Sequence, residues 1–475
     1  MLKILNAKII FFCIILAGII LRLYNIGYDD LWYDEIISFW VSSPQHTFIE
    51  SYSIHSQIEI NTYTYHFLLK VIYNLFGYDL NYARYLSAFF SILSILLIPY
   101  LTKELKYKNL TNLTTFLVAF NIFLISYSQE GRVYSILFFF SLASYLYFIK
   151  IFYKRTKIYT YFLFFISTLV AIILHPFAMI IFFSYSLFLF SRFTILKEVR
   201  PDINYSLITI FIFSILFYFS FFLNMNFTNP EHYWISNPDL KFYTNFYFSN
   251  FFGSRIMGII FLFSFFLLLF KNIKIIKNLN IITIFILIIF LSYFLPIIFG
   301  YLFKPILISR YIIFILGPIL LVISILSFEI KNQKLKYSLI GILIFSTFAN
   351  HFSEQTFKQF WQNRIPSKPE YEKAIGYMIE SDHLNYIIKV KKMKSNKDSL
   401  DAIANYISIL NEKNTNSSLV KKVDLERKIE AIFWQLCPQD INERECRTKD
   451  ILNKHNILEE KNFNNINLKL IKIVK

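Results

Sequence analysis

Lysine and arginine are absent from one long stretch of this chain, and that absence says more than any motif. The forty-five residues from Asn25 to Leu69 contain neither, although the chain carries 48 Lys and Arg against 31 Asp and Glu, a formal net charge of +17. The orientation of a membrane protein follows the Lys/Arg bias of its short loops, so this gap marks a segment held away from the cytoplasm. Only three cysteines occur. Cys13 lies in the first apolar stretch and reads as a small buried hydrophobe, whereas Cys437 and Cys446 stand nine apart in the tail with no histidine at metal-ligand spacing. A structural disulfide there requires the tail to be outside. No Walker phosphate loop, zinc-ligand spacing, glycine-rich dinucleotide turn or nucleophile elbow appears. Glycine is scarce too, ten in 475 residues beside abundant Ile, Phe, Asn, Lys and Tyr. That composition suits an A/T-rich bacterial genome, and the aromatic excess is not itself a sign of function.

What is present is apolar surface. At 56% hydrophobic and 20% aromatic, with 56 Phe and 33 Tyr, the chain holds more apolar side chain than a soluble domain could cover. It reads as an all-α polytopic membrane protein. The first apolar stretch, Ile9 to Tyr24, has no small-residue cleavage site and reads as a retained anchor. Runs of bilayer-spanning length give about eleven expected spans, near 8-24, 82-101, 109-126, 133-150, 158-175, 176-191, 204-223, 255-271, 281-301, 308-328 and 336-352. Alternate loops between them carry sixteen Lys and Arg, among them Lys103, Lys106 and Lys108, then Lys150, Lys154, Arg155 and Lys157. The intervening short loops beyond the first hold only Arg132, Lys241, Arg255, Lys304 and Arg310. The amino terminus is therefore expected in the cytoplasm and the sparse loops outside, in a plasma or bacterial inner membrane.

Residues 1-352 are expected to form the membrane domain, with a first outward loop over 25-81 whose short apolar patches, Ile36 to Val41 and Phe67 to Phe76, read as interfacial helices. A second outward loop runs from Asn224 to Ser254 and holds Pro230 and Pro238. Residues 353-475 lose their hydrophobicity and are expected to fold as a small external soluble domain.

Ionisable residues gather at the outward ends of the spans. Asp34 and Glu35 follow the first span in an acidic cluster that begins at Asp29, and adjacent positions on a helix point about 100 degrees apart, so only one can face a given cavity. Gln129-Glu130-Gly131-Arg132-Val133-Tyr134 ends the third span, His175-Pro176 ends the fifth, and Arg310-Tyr311 opens the tenth. Taken singly, the carboxylates fit a solvated loop and each arginine a snorkelling span end. Together they describe a polar cavity on one side of the bilayer, and ionisable groups so placed are functional by default.

The order Arg22, Leu31-Trp32-Tyr33-Asp34-Glu35, Arg84-Tyr85-Leu86-Ser87-Ala88, Ser128-Gln129-Glu130-Gly131-Arg132-Val133-Tyr134, His175 and Arg310-Tyr311 resembles the GT-C membrane glycosyltransferases. The nearest branch is that of glycosyltransferase family 39, the protein mannosyltransferases and the lipid A aminoarabinose transferases. The likeness spans roughly residues 8 to 328. It departs in the first loop, where relatives carry a Pro-Pro-Leu-Tyr-like stretch and this chain has Asn61-Thr62-Tyr63-Thr64-Tyr65.

The resemblance implies transfer of a sugar from a polyprenyl-phosphate carrier to a lipid, glycan or protein acceptor on the outer face, with inversion and without a nucleic-acid partner. Asp34 is the candidate base, being ionised at neutral pH. Arg310 is the candidate phosphate clamp, a permanently charged guanidinium able to hold two phosphate oxygens. Glu130 and Arg132 are assigned to orienting sugar or phosphate, Arg84 and His175 to weaker donation, and Glu35, Gln129, Tyr134 and Tyr311 to supporting positions. No metal is required, because Arg can neutralise a monoester leaving group, although Asp34 and Glu130 could hold one. The competing class is a polyprenyl-linked sugar flippase or transporter. It would place similar charges on a bundle interior, but nearer the midplane and with internal repeats that this sequence lacks.

Overall fold

Each expected apolar stretch contains a helix. The computed structural model describes residues 2–59, 62–105, 110–154, 156–224, 235, 249–272, 280–352, 368–381, 383–388, 396–413, 421–422, 430–438 and 456–474. In chain order the helices are α1 (Leu2–Leu23), α2 (Tyr33–Val41), α3 (Phe48–Ile58), α4 (Thr64–Phe76), α5 (Tyr82–Glu104), α6 (Thr111–Ala119), α7 (Ile122–Ser128), α8 (Tyr134–Tyr153), α9 (Ile158–Leu174), α10 (Met179–Leu196) and α11 (Pro201–Asn224). Further helices follow at Arg255–Lys271, Ile281–Leu302, Leu316–Phe328 and Gln333–Ala349. The chain divides into two compact units, one of residues 1–24 and 85–357, the other of 25–84 and 358–475. Most of the second outward loop, 225–234 and 236–248, lies outside the described residues, as does Cys446.

In the first unit, six described helices are long and apolar enough to cross a membrane: Tyr82–Glu104, Tyr134–Tyr153, Pro176–Leu196, Pro201–Tyr218, Ile281–Leu302 and Ser309–Phe328. With the bent pair α6 and α7 taken as one span, the described residues give seven such helices; α9 and the helices Arg255–Lys271 and Gln333–Ala349 have 17 residues each, at the lower end of the roughly 17–25 that cross a bilayer. Large apolar side chains on the helix surfaces, such as Phe12 and Leu16 of α1 or Ile259, Phe263 and Phe270 further on, are exposed where lipid would solvate them. Cys13 is among the exposed residues of α1 and not in a core. At the centre, every residue from Leu316 to Ser327 is buried. Gly317 permits this, because a Cβ there would meet Leu142 Cδ2 of α8 at 2.6 Å.

The expected span 109-126 is broken. α6 and α7 meet at 55°, and the cause is Asn121, which leaves helical geometry (φ −68, ψ 120) to cap α7 by accepting from the Leu124 amide. A break inside an apolar bundle frees carbonyls that no water can reach, so side chains must supply donors. Arg22, fully buried, donates to the Val118 and Ala119 carbonyls at 3.2 and 2.8 Å, to the Gly18 carbonyl at 3.0 Å and to Ser91 Oγ at 2.7 Å. His351 Nε2 lies 2.9 Å from the Phe120 carbonyl, and Asn121 donates to the Phe251 carbonyl at 2.9 Å. The third expected span thus carries a bend at which the carbonyls of Val118, Ala119 and Phe120 each meet a side chain.

The second unit joins the first loop to the tail. A five-stranded sheet, β1 (Asn385–Ile388), β2 (Lys421–Lys422), β3 (Glu430–Pro438), β4 (Asn456–Phe463) and β5 (Ile466–Val474), runs in the order β2-β1-β3-β5-β4. β1 is parallel to both neighbours, and β3, β5 and β4 are antiparallel. The β4–β5 turn uses Asn465 at φ +52, a conformation that Asn tolerates better than most residues. Phe433, Trp434, Leu436 and Cys437 are all buried, so both faces of β3 are covered. Cys437 is disulfide-bonded. Helix Tyr371–Glu380 buries Tyr371, Ala374, Ile375 and Met378, the i, i+3, i+4, i+7 stripe of an amphipathic helix. Helix Asn396–Lys413 buries Ala402, Ile403, Tyr406, Ile407 and Leu410.

Residues more than three hundred positions apart tie this unit together. The Leu31 amide donates to the Tyr406 hydroxyl at 3.2 Å, Asn405 donates to the Tyr78 hydroxyl at 3.3 Å, and the Glu372 amide donates to Asp30 Oδ2 at 2.8 Å. At its centre the Glu35 carboxylate receives Arg84 through Nε (2.9 Å) and Nη2 (3.0 Å), and Lys368 Nζ at 2.7 Å. Arg84 spends its other donors on the carbonyls of Ile26, Asp29 and Asp30. Burial works against the Glu35 charge, but the Arg84 and Lys368 charges and hydrogen bonds outweigh it and hold the carboxyl well below its ordinary range. Asp30 goes the other way. Burial pushes it from 3.8 up to about 6, against the hydrogen bond from the Glu372 amide.

Two measurements follow from these contacts. Arg22→Ala strips the donors from three buried carbonyls, each left at a cost of about 1–3 kcal/mol, and is expected to lower the thermal midpoint of the detergent-purified protein strongly, with Arg22→Lys recovering part; an unchanged midpoint in Arg22→Ala would refute the pinned break. For Asp30, the folded carboxyl holds its proton to about pH 6 and the unfolded one only to 3.8. The folded protein therefore binds more protons between those values, and stability falls as pH rises through that window. Thermal midpoints of the parent and Asp30→Asn are expected to agree near pH 4 and to diverge by pH 7, with Asp30→Asn higher; parallel profiles would contradict the shift.

Candidate active site

The two units divide the expected site residues between them. Asp34, Glu35 and Arg84 belong to the second, and Gln129, Glu130, Arg132, Tyr134, His175, Arg310 and Tyr311 to the first.

In the second unit, α2 begins at Tyr33 with both carboxylates in its first turn, where the helix macrodipole favours negative charge. Their neighbouring positions separate them. Glu35 is 3% exposed and engaged by Arg84 and Lys368, while Asp34 is half-buried. Arg84 is itself 2% exposed and wrapped by the loop backbone. Glu35 and Arg84 thus lie in the interior of the loop, a holding arrangement, and Asp34 is the carboxylate of the pair with open surface. Lys368 has no local signal in the sequence and only its place beside Glu35 picks it out.

In the first unit, the turn between α7 and α8 carries the second group. Gln129 Nε2 donates to the carbonyls of Leu21, Arg22 and Tyr24 at 3.2, 3.4 and 2.9 Å, satisfying the end of α1 and fixing the turn to it. Ser87 Oγ donates to the Arg132 carbonyl at 3.1 Å, and the Arg132 amide closes the turn onto the Glu130 carbonyl at 2.8 Å. Arg132 is 5% exposed and Glu130 half-buried. α8 then starts at Tyr134.

His175 ends α9 because Pro176 disfavours helical backbone in the residue before it. Its backbone is extended (φ −154, ψ 128), and its Nδ1 accepts from the Phe177 amide at 3.3 Å. The 3-10 segment Ser309–Ile315 supplies Arg310 and Tyr311. These pieces come together: the His175 and Tyr311 rings are 4.8 Å apart, the Tyr134 ring lies 6.5 Å from each, and the Arg310 guanidinium sits 5.9 Å from the Tyr134 ring and 5.8 Å from that of Tyr311. A guanidinium framed by aromatic faces keeps its charge and is held in direction by cation–π attraction. Tyr127 extends the wall at 5.2 Å from Tyr134.

No family model matches the sequence, and no curated protein matches it either. Solved structures do match the fold. ArnT from Cupriavidus metallidurans in the apo state superposes with a TM-score of 0.59 at 9% identity, covering 98% of each chain. The same protein bound to undecaprenyl phosphate gives 0.58 at 8%, again over 98% of each. The Archaeoglobus fulgidus oligosaccharyltransferase tethered to an acceptor peptide gives 0.51 at 10%, over 83% of this chain and 63% of the other, so this chain spans less than two thirds of that enzyme. The chain is a multi-pass membrane protein that shares the fold of ArnT.

Proposed function

We propose that the protein is a glycosyltransferase that moves a sugar from a polyprenyl-phosphate carrier to a lipid, glycan or protein acceptor on the outer face of the membrane, with inversion. The observation that carries this reading is the fixed Arg310 guanidinium among Tyr134, His175 and Tyr311, in a fold whose neighbour ArnT is bound to undecaprenyl phosphate. The departing group in such a transfer is a lipid phosphate, and a guanidinium neutralises it through two parallel hydrogen bonds. Asp34 takes the acceptor hydroxyl proton as the acceptor oxygen bonds to the anomeric carbon and the carbon–oxygen bond to phosphate breaks, its electron pair leaving with the phosphate. Glu130 and Arg132 orient the sugar and phosphate. Glu35 and Arg84 act by position, keeping the start of α2 in place. This chemistry asks for no metal at the phosphate.

The outer-face assignment rests on the charge gap from 25 to 69 and on the union of that loop with the tail in one compact unit, since one folded unit occupies one side of a membrane. A disulfide-bonded Cys437 suits an oxidising compartment. The flippase reading draws no support from a fold shared with transferases.

Asp34→Asn keeps shape and removes the base, so transfer is expected to fall by at least about 100-fold with normal levels in the membrane. Arg310→Ala is expected to weaken donor use strongly and Arg310→Lys to restore only part, because an ammonium makes no two-point contact. The readout is sugar transfer by purified variants given a polyprenyl-phosphate sugar and a crude acceptor fraction. Parental activity in Asp34→Asn would remove it from the mechanism, and full recovery in Arg310→Lys would remove the two-point clamp.

A further inference from the structure

The first loop holds a second cluster of ionisable side chains that the transfer chemistry leaves unused. α3 ends with His55 in its last turn and Glu59 at its C-cap, and α4 opens with His66 in its first turn. His55 is 3% exposed and His66 1%. Their rings face one another through the same atom, Nδ1 to Nδ1 at 3.0 Å. Glu59 Oε1 lies 4.0 Å from His66 Nε2, which is also 3.3 Å from Ser38 Oγ of α2. One ligand atom from each of His55, Glu59 and His66 falls within 4.8 Å of the others.

Two buried imidazoles can share one proton between facing Nδ1 atoms if they adopt opposite tautomers. They can also turn both lone pairs onto one cation. Zinc binds imidazole at about 2.0–2.1 Å and carboxylate at about 2.0–2.2 Å in tetrahedral array, which sets neighbouring ligand atoms roughly 3.4 Å apart; the Nδ1 pair then opens slightly, and the Glu59 carboxylate, whose ligand atom lies within 4.8 Å of the others, swings in by rotation of its side chain. With Nδ1 of His66 on the ion, its Nε2 would carry the proton toward Ser38 Oγ, 3.3 Å away, the kind of outer hydrogen bond that fixes a ligating histidine's tautomer. The two nitrogens and one carboxylate oxygen are a donor set for zinc and similar transition ions and a poor one for magnesium or calcium.

We propose that His55, His66 and Glu59 form a binding site for one divalent transition-metal ion of the zinc class, which staples α3 to α4 and stiffens the first loop. The site is independent of the transferase reading, and its role is structural.

The test uses the full chain without a histidine tag, purified in detergent and stripped with a chelator. Cobalt(II) added alone is expected to bind at one equivalent with the visible absorption of a four-coordinate ion, to be displaced by zinc(II), and to raise the thermal midpoint. His55→Asn and His66→Asn are expected to abolish that absorption. Glu59→Gln alters a half-buried position that leaves the fold intact, and is expected to weaken binding by at least about tenfold. Should the histidine variants fail to fold, uptake by the parent and its weakening in Glu59→Gln decide the matter. A stripped parent that takes up no cobalt or zinc, or a Glu59→Gln variant of parental affinity, overturns the site and leaves a hydrogen-bonded imidazole pair.

Discussion

A buried carboxylate held by two cations is the interaction on which the second unit of this protein depends. Glu35 receives the fork of Arg84 and the ammonium of Lys368, and Arg84 in turn gathers the carbonyls of Ile26, Asp29 and Asp30. An ion pair of this kind is weak evidence of net stability, since a well-packed apolar substitute can equal it. Removing one partner is another matter, because it strands a charge in the interior. The contacts tie the loop backbone at Ile26, Asp29 and Asp30 to the first turn of α2, where Asp34 keeps open surface.

A related constraint governs the helical unit. Apolar solvation makes helices from Phe-, Ile- and Leu-rich runs, and it also forbids any break that leaves backbone groups bare. The bend at Asn121 is permitted because Arg22 and His351 reach the carbonyls it frees. Gln129 does the same for the end of α1 and so fixes the turn that bears Glu130 and Arg132. Polar side chains that read as candidate ligands in the sequence thus include several whose visible work is to close backbone accounts around the site.

Hydropathy located every long apolar helix of the first unit, because it is a local property of the chain; it did not locate α3, which has no comparable apolar run. It did not reveal the break at Asn121, since one small polar residue in an apolar run is compatible with a continuous helix. Nor did it pair the first loop with the tail. Lys368 is one lysine among many until it is found 2.7 Å from Glu35, and Tyr406 reaches Leu31 across 375 positions. His55 and His66 carry no local signal for a similar reason: eleven apart on two helices, they fit no ligand motif, and only the packing of α3 and α4 sets them face to face. The aromatic frame of Arg310 was legible in part, since Tyr311 adjoins it in sequence while Tyr134 and His175 come from other helix ends.

The central claim is that this fold cleaves a lipid-phosphate sugar and does not merely carry one. Detergent removes the two sides between which a transporter works, so purified parent protein mixed with a polyprenyl-phosphate sugar and an acceptor fraction separates the cases. The account predicts release of polyprenyl phosphate in step with appearance of sugar on the acceptor. Binding of the carrier without cleavage, whatever acceptor fraction is supplied, would contradict it.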